Sequence, residues 1–258
     1  MSNKKFVKPA KNDQSQHVNQ RDKFKEEFDI KIKYDLTEKQ QGLIKTINDK
    51  KTQVVFIKGA AGTSKTFISV LCGLQLLQTG DVREIIYSRP ILESSDSGSK
   101  LGFLPGSVLE KIDPYAQVVA AKLDELLSQS ASNKLLEDGR VRFELVNYAR
   151  GASWNSTYLI LDEAQNFTKA EIITLLTRLG HRCKAIILAD PMQSDLQNGK
   201  RGGFSELFEK FSDQDSIDHG IHTFKFDKED IVRSGLCKFI IEKLENTTIE
   251  PMFSNKNV

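Results

Sequence analysis

The chain has 258 residues, a net charge of +2, 39% hydrophobic and 28% charged residues, the profile of a soluble globular protein built around one large domain. So small a net charge excludes a protein drawn to nucleic acid by global charge alone. Three widely separated cysteines (Cys72, Cys183, Cys237) exclude a disulfide framework and a zinc-ligand spacing, and fit a reducing compartment.

Residues 1–33 are polar and rich in Lys, Asn, Gln and Asp, which predicts a flexible basic arm. They contain no apolar core of a secretion signal, and no run in the chain approaches the length of a membrane span, so a cytoplasmic location is expected. From Leu36 to Ile47 the residues Leu43, Ile44 and Ile47 recur on one helical face, with Thr37 placed as N-cap. Val54 to Ile57 is a short, β-branched apolar run, which predicts a fully buried parallel strand.

That strand leads into Gly59-Ala60-Ala61-Gly62-Thr63-Ser64-Lys65-Thr66, and Phe67 to Leu77 then has helical apolar spacing. A glycine-rich turn between a strand and a helix N-terminus directs free backbone N–H groups at one point, which attracts an anion. Lys65 adds a point charge for the β- and γ-phosphates of a nucleotide, and Thr66 a hydroxyl ligand for Mg²⁺. The sequence departs from G-x-x-x-x-G-K-[ST] at Ser64, where a Cβ is expected to crowd the phosphates.

Further strands are expected over Glu84 to Ser88, Arg142 to Tyr148, Tyr158 to Leu161, Ala185 to Ala189 and Ile221 to Phe226. Glu93 to Gly106 reads as a loop. Helices are expected over Pro114 to Leu127, over Thr168 to Leu179 with a Thr168/Glu171 capping box, and over Leu236 to Leu244. Alternating strands and helices predict an α/β domain with a mostly parallel sheet between helices. Ligands of such sheets sit at the carboxyl ends of the strands. The loop, Ser88-Arg89, Asp162-Glu163 and Asp190 all fall at strand ends and are expected on one rim.

A buried strand ending in Asp162-Glu163 places one carboxylate for Mg²⁺ and a second beside it to polarise a water. Asp162-Glu-Ala-Gln-Asn166 is similar to the acidic motif of the PhoH family of P-loop ATPases, relatives of superfamily 1 helicases. The resemblance runs from about Leu36 to about Glu245. It includes Ser88-Arg89-Pro90, Leu101 to Gly106, Glu110 to Tyr115, Tyr148 to Gly151, Leu176 to Gly180, Gln193 to Leu196 and Asp230 to Arg233.

The resemblance implies a RecA-like P-loop NTPase domain over 34–246, followed by a polar tail over 247–258, with ATP and Mg²⁺ as cofactors. It implies that Gln40 reads the adenine edge; a Gln on an exposed helix surface is the competing reading. Asp190 and Gln193 resemble a motif that senses the γ-phosphate and its attacking water. Arg233 resembles a late arginine facing that phosphate, and a solvated arginine is its competing reading. Arg89 and Arg150 could meet phosphates of ATP or of RNA. Ala152-Ser153 and Ala189 depart from the family pattern, which bears on turnover more than on binding.

The leading expectation is an ATPase coupled to RNA and acting as a homo-oligomer, plausibly a ring, because a superfamily 1 motor closes each ATP site between two RecA-like domains. A nucleotide-regulated binding module with little turnover is the alternative. A kinase lacks a visible acceptor lid, and a GTPase lacks a guanine motif. Trp154 and Tyr148 could stack on bases.

Overall fold

The structure is a computed structural model. It describes residues 25–90, 108–146, 149, 151, 153–194, 202–232, 239 and 243, with backbone alone for 108–116 and 228. Six strands form one sheet: β1 (Val54–Lys58), β2 (Glu84–Ser88), β3 (Val141–Phe143), β4 (Thr157–Leu161), β5 (Lys184–Ala189) and β6 (Ile221–Lys225). Their order is β3-β2-β4-β5-β1-β6, and every pairing is parallel. Helices α1 (Glu38–Asn48), α2 (Lys65–Gln78), α3 (Val108–Leu126), α4 (Gln129–Glu137), α5 (Lys169–Leu176), α6 (Phe204–Lys210) and α7 (Gln214–Asp218) complete the described elements, with three short 3-10 turns. This is the α/β architecture expected from the sequence, a parallel sheet between helices.

The four inner strands, β2, β4, β5 and β1, are mostly apolar and buried because helices cover both faces of the sheet there. Val55 and Ile57 of β1 face a cluster with Leu43 and Ile47 of α1 and Leu71 and Leu74 of α2. Val54 and Phe56 face the opposite cluster, with Ile172 and Leu175 of α5 and Phe204 and Leu207 of α6. Period-two alternation along β1 thus feeds two cores. Each fully buried Leu or Ile contributes about 1.5–3 kcal/mol.

Helix starts follow local chemistry. Thr37 and Gln40 form a reciprocal capping box on α1, and Thr168 and Glu171 form one on α5. Other expectations need correction. Residues 25–33 of the expected arm lie against the domain, where Phe28 and Ile30 pack on the first cluster. Glu26 pairs with Arg140 at 2.8 Å, and the Lys31 amide donates to the Leu126 carbonyl at 2.7 Å. Alternate residues point inward there, a strand-like pattern that composition conceals.

Helix α3 starts at Val108, six residues before Pro114. The proline is accommodated inside the helix rather than at its first position, and one backbone bond to Glu110 is forgone. Of the strand expected over Arg142 to Tyr148, Arg142 and Phe143 are paired, in a strand that begins at Val141; residues 147 and 148 lie outside the described residues. The expected loop over 93–106 and most of the helix over 236–244 lie outside the described residues, although Phe239 and Lys243 have helical backbone. Trp154 is core, 5% exposed, so it is no base-stacking platform; Tyr148 lies outside the described residues.

Candidate nucleotide site

The sheet order places β5 between β1 and β4. The loop after β1, Asp190 after β5 and Asp162-Glu163 after β4 therefore meet side by side on the carboxyl rim, as the topology requires. They line a cleft of about 540 Å³ together with Tyr34, Asp35, Gln40, Lys65, Thr66 and Gln193.

The loop is braced from three sides. The Gly59 amide donates to the Ala189 carbonyl at 3.2 Å, and the Val232 amide to the Gly62 carbonyl at 3.1 Å. The Ala61 amide donates to Asp190 Oδ2 at 2.8 Å. Asp190 thus holds the loop itself through one of its backbone donors. Thr63 is fully buried and donates its hydroxyl to the Ala60 carbonyl at 2.9 Å. Gly59 has no room for a side chain, since a Cβ would stand 2.8 Å from Phe226 Cβ.

Gly62 (φ 88°) and Ser64 (φ 65°) both adopt left-handed backbone. The glycine expected at 64 is therefore a conformational requirement rather than a matter of side-chain space. Ser64 is the N-cap of α2 and makes no side-chain capping bond. Lys65 Nζ donates to the carbonyls of Gly59 at 2.7 Å and Ala60 at 2.9 Å, lying over the loop.

Opposite the loop, Thr66 Oγ1 donates to Asp162 Oδ2 at 3.0 Å. The same oxygen accepts from the Tyr87 hydroxyl at 2.5 Å, and Asp162 Oδ1 accepts from the Glu163 amide at 2.9 Å. Tyr87, on β2, is fully buried. Burial first, and then the Asp162 carboxylate, push its hydroxyl far above the ordinary phenol range. It is therefore a permanent donor that fixes the carboxylate. A hydroxyl beside a carboxylate is a hard oxygen pair suited to Mg²⁺, which takes one or two protein ligands and completes its shell with phosphates and water. No group of three or more His, Cys, Asp and Glu side chains able to hold a metal ion occurs among the described residues.

Glu163 has left-handed backbone (φ 54°, ψ 40°), which turns its side chain off the strand end at a cost of about 1–3 kcal/mol. Its Oε2 accepts from Gln165 Nε2 at 2.6 Å, and its Oε1 from Arg89 Nη2 at 3.5 Å. Gln165 is buried and joins three parts of the rim. Its Oε1 accepts from the Asp190 amide at 3.1 Å, and its Nε2 also reaches the Gln193 carbonyl at 3.2 Å.

Gln40 is 2% exposed, and its Oε1 accepts from the Thr37 amide at 3.0 Å. It lines the cleft and not an open surface, and its carboxamide oxygen closes the capping box of α1. Near it Tyr34 packs against Phe67, ring centroids 5.7 Å apart.

The structure thus brings together Gln40, the loop from Gly59 to Thr66, Asp162, Glu163, Asp190 and Gln193. Arg233 and Arg150 lie outside the described residues. Sequence reading missed Tyr87, Gln165 and Tyr34. Gln165 stood inside the acidic motif without a role, and Tyr87 stood inside an apolar strand where an aromatic reads as core.

A family model described as PhoH-like protein matches residues 31–245. The chain is 38% identical over 193 residues to a PhoH-like protein of Bacillus subtilis (strain 168), covering 75% of this chain and 58% of that protein. It is 38% identical over 203 residues to Protein PhoH of Escherichia coli (strain K12), covering 78% and 55%. The chain spans a little over half the length of these curated relatives. Among solved structures, the Pif1 helicase from Candida albicans matches with a TM-score of 0.41 and 14% identity, covering 83% of this chain and 44% of that one. With the family model matching residues 31–245, most of its length, the chain belongs to the PhoH-like protein family.

Proposed function

We propose that the protein binds ATP with Mg²⁺ in this cleft and hydrolyses it, in a reaction coupled to RNA. The observation that carries the reading is the 3.0 Å contact of Thr66 Oγ1 with Asp162 Oδ2, which joins the phosphate loop to a carboxylate 96 residues away. Magnesium held there would neutralise charge developing on the β- and γ-phosphate oxygens.

The residues divide the remaining work. Lys65 exchanges the carbonyls of Gly59 and Ala60 for phosphate oxygens. Glu163 accepts the proton of the attacking water, a contribution of about 10²–10⁴-fold. Gln165 keeps Glu163 and the Gln193 backbone in register. Gln193 and Arg233 contact the γ-phosphate, where the planar guanidinium suits spread charge. Gln40 reads the adenine edge. The protein works as a homo-oligomer, arranged as a ring in the cytoplasm, and Arg233 acts at a site of its own or of a neighbouring copy. Residues 34–246 form the ATPase unit, onto which residues 25–33 of the N-terminal segment pack, with a C-terminal tail after it.

Phosphate release, measured with and without RNA for the wild type and Glu163→Gln, tests this. A wild-type rate at least a hundredfold (~10²) above the variant's supports hydrolysis. Equal rates favour the second reading, a nucleotide-regulated binding module, for which the left-handed Ser64 and the two engaged oxygens of Glu163 speak.

A further inference from the structure

We propose that the Tyr34 ring is the platform on which the base of a nucleoside triphosphate stacks, so that the cleft holds its ligand by the base as well as by the phosphates. The inference rests on the nucleotide-binding reading above and names the residue that holds the base.

The chain bends at Tyr34, just before α1. Both flanks of the bend are anchored. On one side Phe28 and Ile30 pack on the first core cluster, the Lys31 amide donates to the Leu126 carbonyl at 2.7 Å, and Gln78 Nε2 donates to the Phe28 carbonyl. On the other side Leu36 packs on the same cluster, its carbonyl accepts from Gln41 Nε2 at 2.9 Å, and Thr37 caps α1. The side chain between these anchors stays out of the core, and Tyr34 is 57% exposed. An aromatic fixed on both flanks and left uncovered has little freedom to lose when a ligand covers it.

Its position names the ligand. Tyr34 lies against the buried Phe67, ring centroids 5.7 Å apart. Phe67 follows Lys65 and Thr66 in the first turn of α2, so the Tyr34 ring is backed by the residue next to the proposed phosphate and magnesium contacts. Tyr34 lines the same cleft as Lys65 and Thr66. Of the large hydrophobic side chains exposed among the described residues, only Tyr34 and Val232 line that cleft.

Gln40 supplies a second, polar observation. It is six residues further along the chain, buried, and lines the cleft, and its Nε2 has no hydrogen-bond partner among the described residues. An uncovered ring and a buried carboxamide beside a phosphate loop match a ligand with flat apolar faces, a polar edge and a phosphate tail. A nucleotide has all three. Every base has a π face, so a stacking platform tolerates any of them. Tyr34 therefore holds the base whatever its identity, and discrimination between bases falls to the groups at its edge.

The test uses the full chain. Calorimetry gives the affinities of Mg-ATP, Mg-GTP, Mg-CTP and inorganic triphosphate with Mg²⁺ for the wild type, Tyr34→Ala, Tyr34→Leu and Tyr34→Phe. Circular dichroism confirms that each variant is folded. Tyr34→Ala is expected to weaken all three nucleotides by at least about fivefold, the low end of what a stacked base gains from an aromatic side chain. Tyr34→Phe keeps the ring and is expected to bind as the wild type does. Tyr34→Leu keeps an apolar cover over Phe67 without a π face, and its affinity is expected to fall toward that of Tyr34→Ala. Inorganic triphosphate has no base and is expected to bind all four proteins equally.

Equal Mg-ATP affinity in the wild type and Tyr34→Ala overturns the platform and leaves the nucleotide reading standing. So does wild-type affinity in Tyr34→Leu, which would show that apolar cover suffices. Equal losses of Mg-ATP and inorganic triphosphate in Tyr34→Ala also overturn it, by making Tyr34 a prop for α2 and the phosphate loop. If Tyr34→Ala loses affinity for labelled oligouridylate, read by anisotropy, and none for nucleotides, the ring serves a polymer and the proposal falls. A wild type that binds neither Mg-ATP nor inorganic triphosphate overturns the nucleotide reading, and the platform with it.

Discussion

Replacing Ser64 by Gly should stabilise the protein although it removes a side chain. Ser64 sits at φ 65°, ψ 21°, and its hydroxyl makes no capping bond to α2. A non-glycine residue in this region costs about 1–2 kcal/mol through the clash of Cβ with the following carbonyl oxygen. Glycine removes that cost but restores freedom to the unfolded chain, worth about 0.5–1 kcal/mol in the opposite direction. The difference favours the variant by about 0.5–1 kcal/mol, or about 1–4 °C in Tm for a protein of this size. Ser64→Ala keeps the strained backbone and loses no capping bond, so it should fall within about 0.5 kcal/mol of the wild type. Thermal melts and urea unfolding of both variants settle the point. A Ser64→Gly protein less stable than the wild type by more than about 1 kcal/mol, with Ser64→Ala equally damaged, would show that the hydroxyl carries a contact and that strain is not the dominant effect.

Tyr87→Phe removes one of the two side-chain donors to Asp162 Oδ2. It should weaken Mn²⁺ binding, read by electron paramagnetic resonance in the presence of ADP, by about three- to tenfold. An unchanged Mn²⁺ affinity would mean that Tyr87 merely fills space. Tyr158→Phe should stabilise the fold by about 1 kcal/mol, because the Tyr158 hydroxyl is buried and has no hydrogen-bond partner among the described residues; a loss of more than about 1 kcal/mol in urea unfolding would contradict this. Glu84 is buried, which pushes its carboxyl up, but hydrogen bonds from Arg142, Arg83 and Thr157 and the Arg142 charge outweigh that and hold it below the ordinary carboxylate range. A depressed carboxylate pKa gives stability that is complete above the unfolded value and is lost as pH falls through the folded one. Glu84→Gln should therefore flatten the loss of stability between about pH 5 and about pH 3, measured as urea midpoints. An undiminished acid slope would refute the assignment.

The parts of the site carried by adjacent residues were legible in the sequence. Val54 to Thr66 is a strand, a turn and a helix start whose chemistry is contiguous, and the N-cap at Thr37 and the capping box from Thr168 to Glu171 are equally local. The sheet's parallel character followed from apolar runs, because only strands covered on both faces lack alternation. What stayed hidden depends on pairing across the fold. Tyr87 acquires its role only when β2 pairs with β4 and brings it to Asp162. Gln165 gains its role from Asp190, which β5 delivers beside β4. Helix α4 has nine residues and only three apolar ones, Ala131, Leu135 and Leu136, too few for its period to be read. Helices α6 and α7 are two turns or fewer, below the length at which helical spacing declares itself. The strain at Ser64 was invisible because a sequence shows which residue departs from a motif but not its φ.

The central claim is that a triphosphate lies against Gly59–Thr66 with magnesium held by Thr66 and Asp162. Calorimetric titration of Mg-ATP into the wild type, Lys65→Ala and Asp162→Asn tests it most directly. The account predicts saturable heat for the wild type, affinity at least about tenfold weaker for Lys65→Ala, and a Mg²⁺ dependence that is lost in Asp162→Asn. Equal Mg-ATP affinity in all three proteins would contradict it.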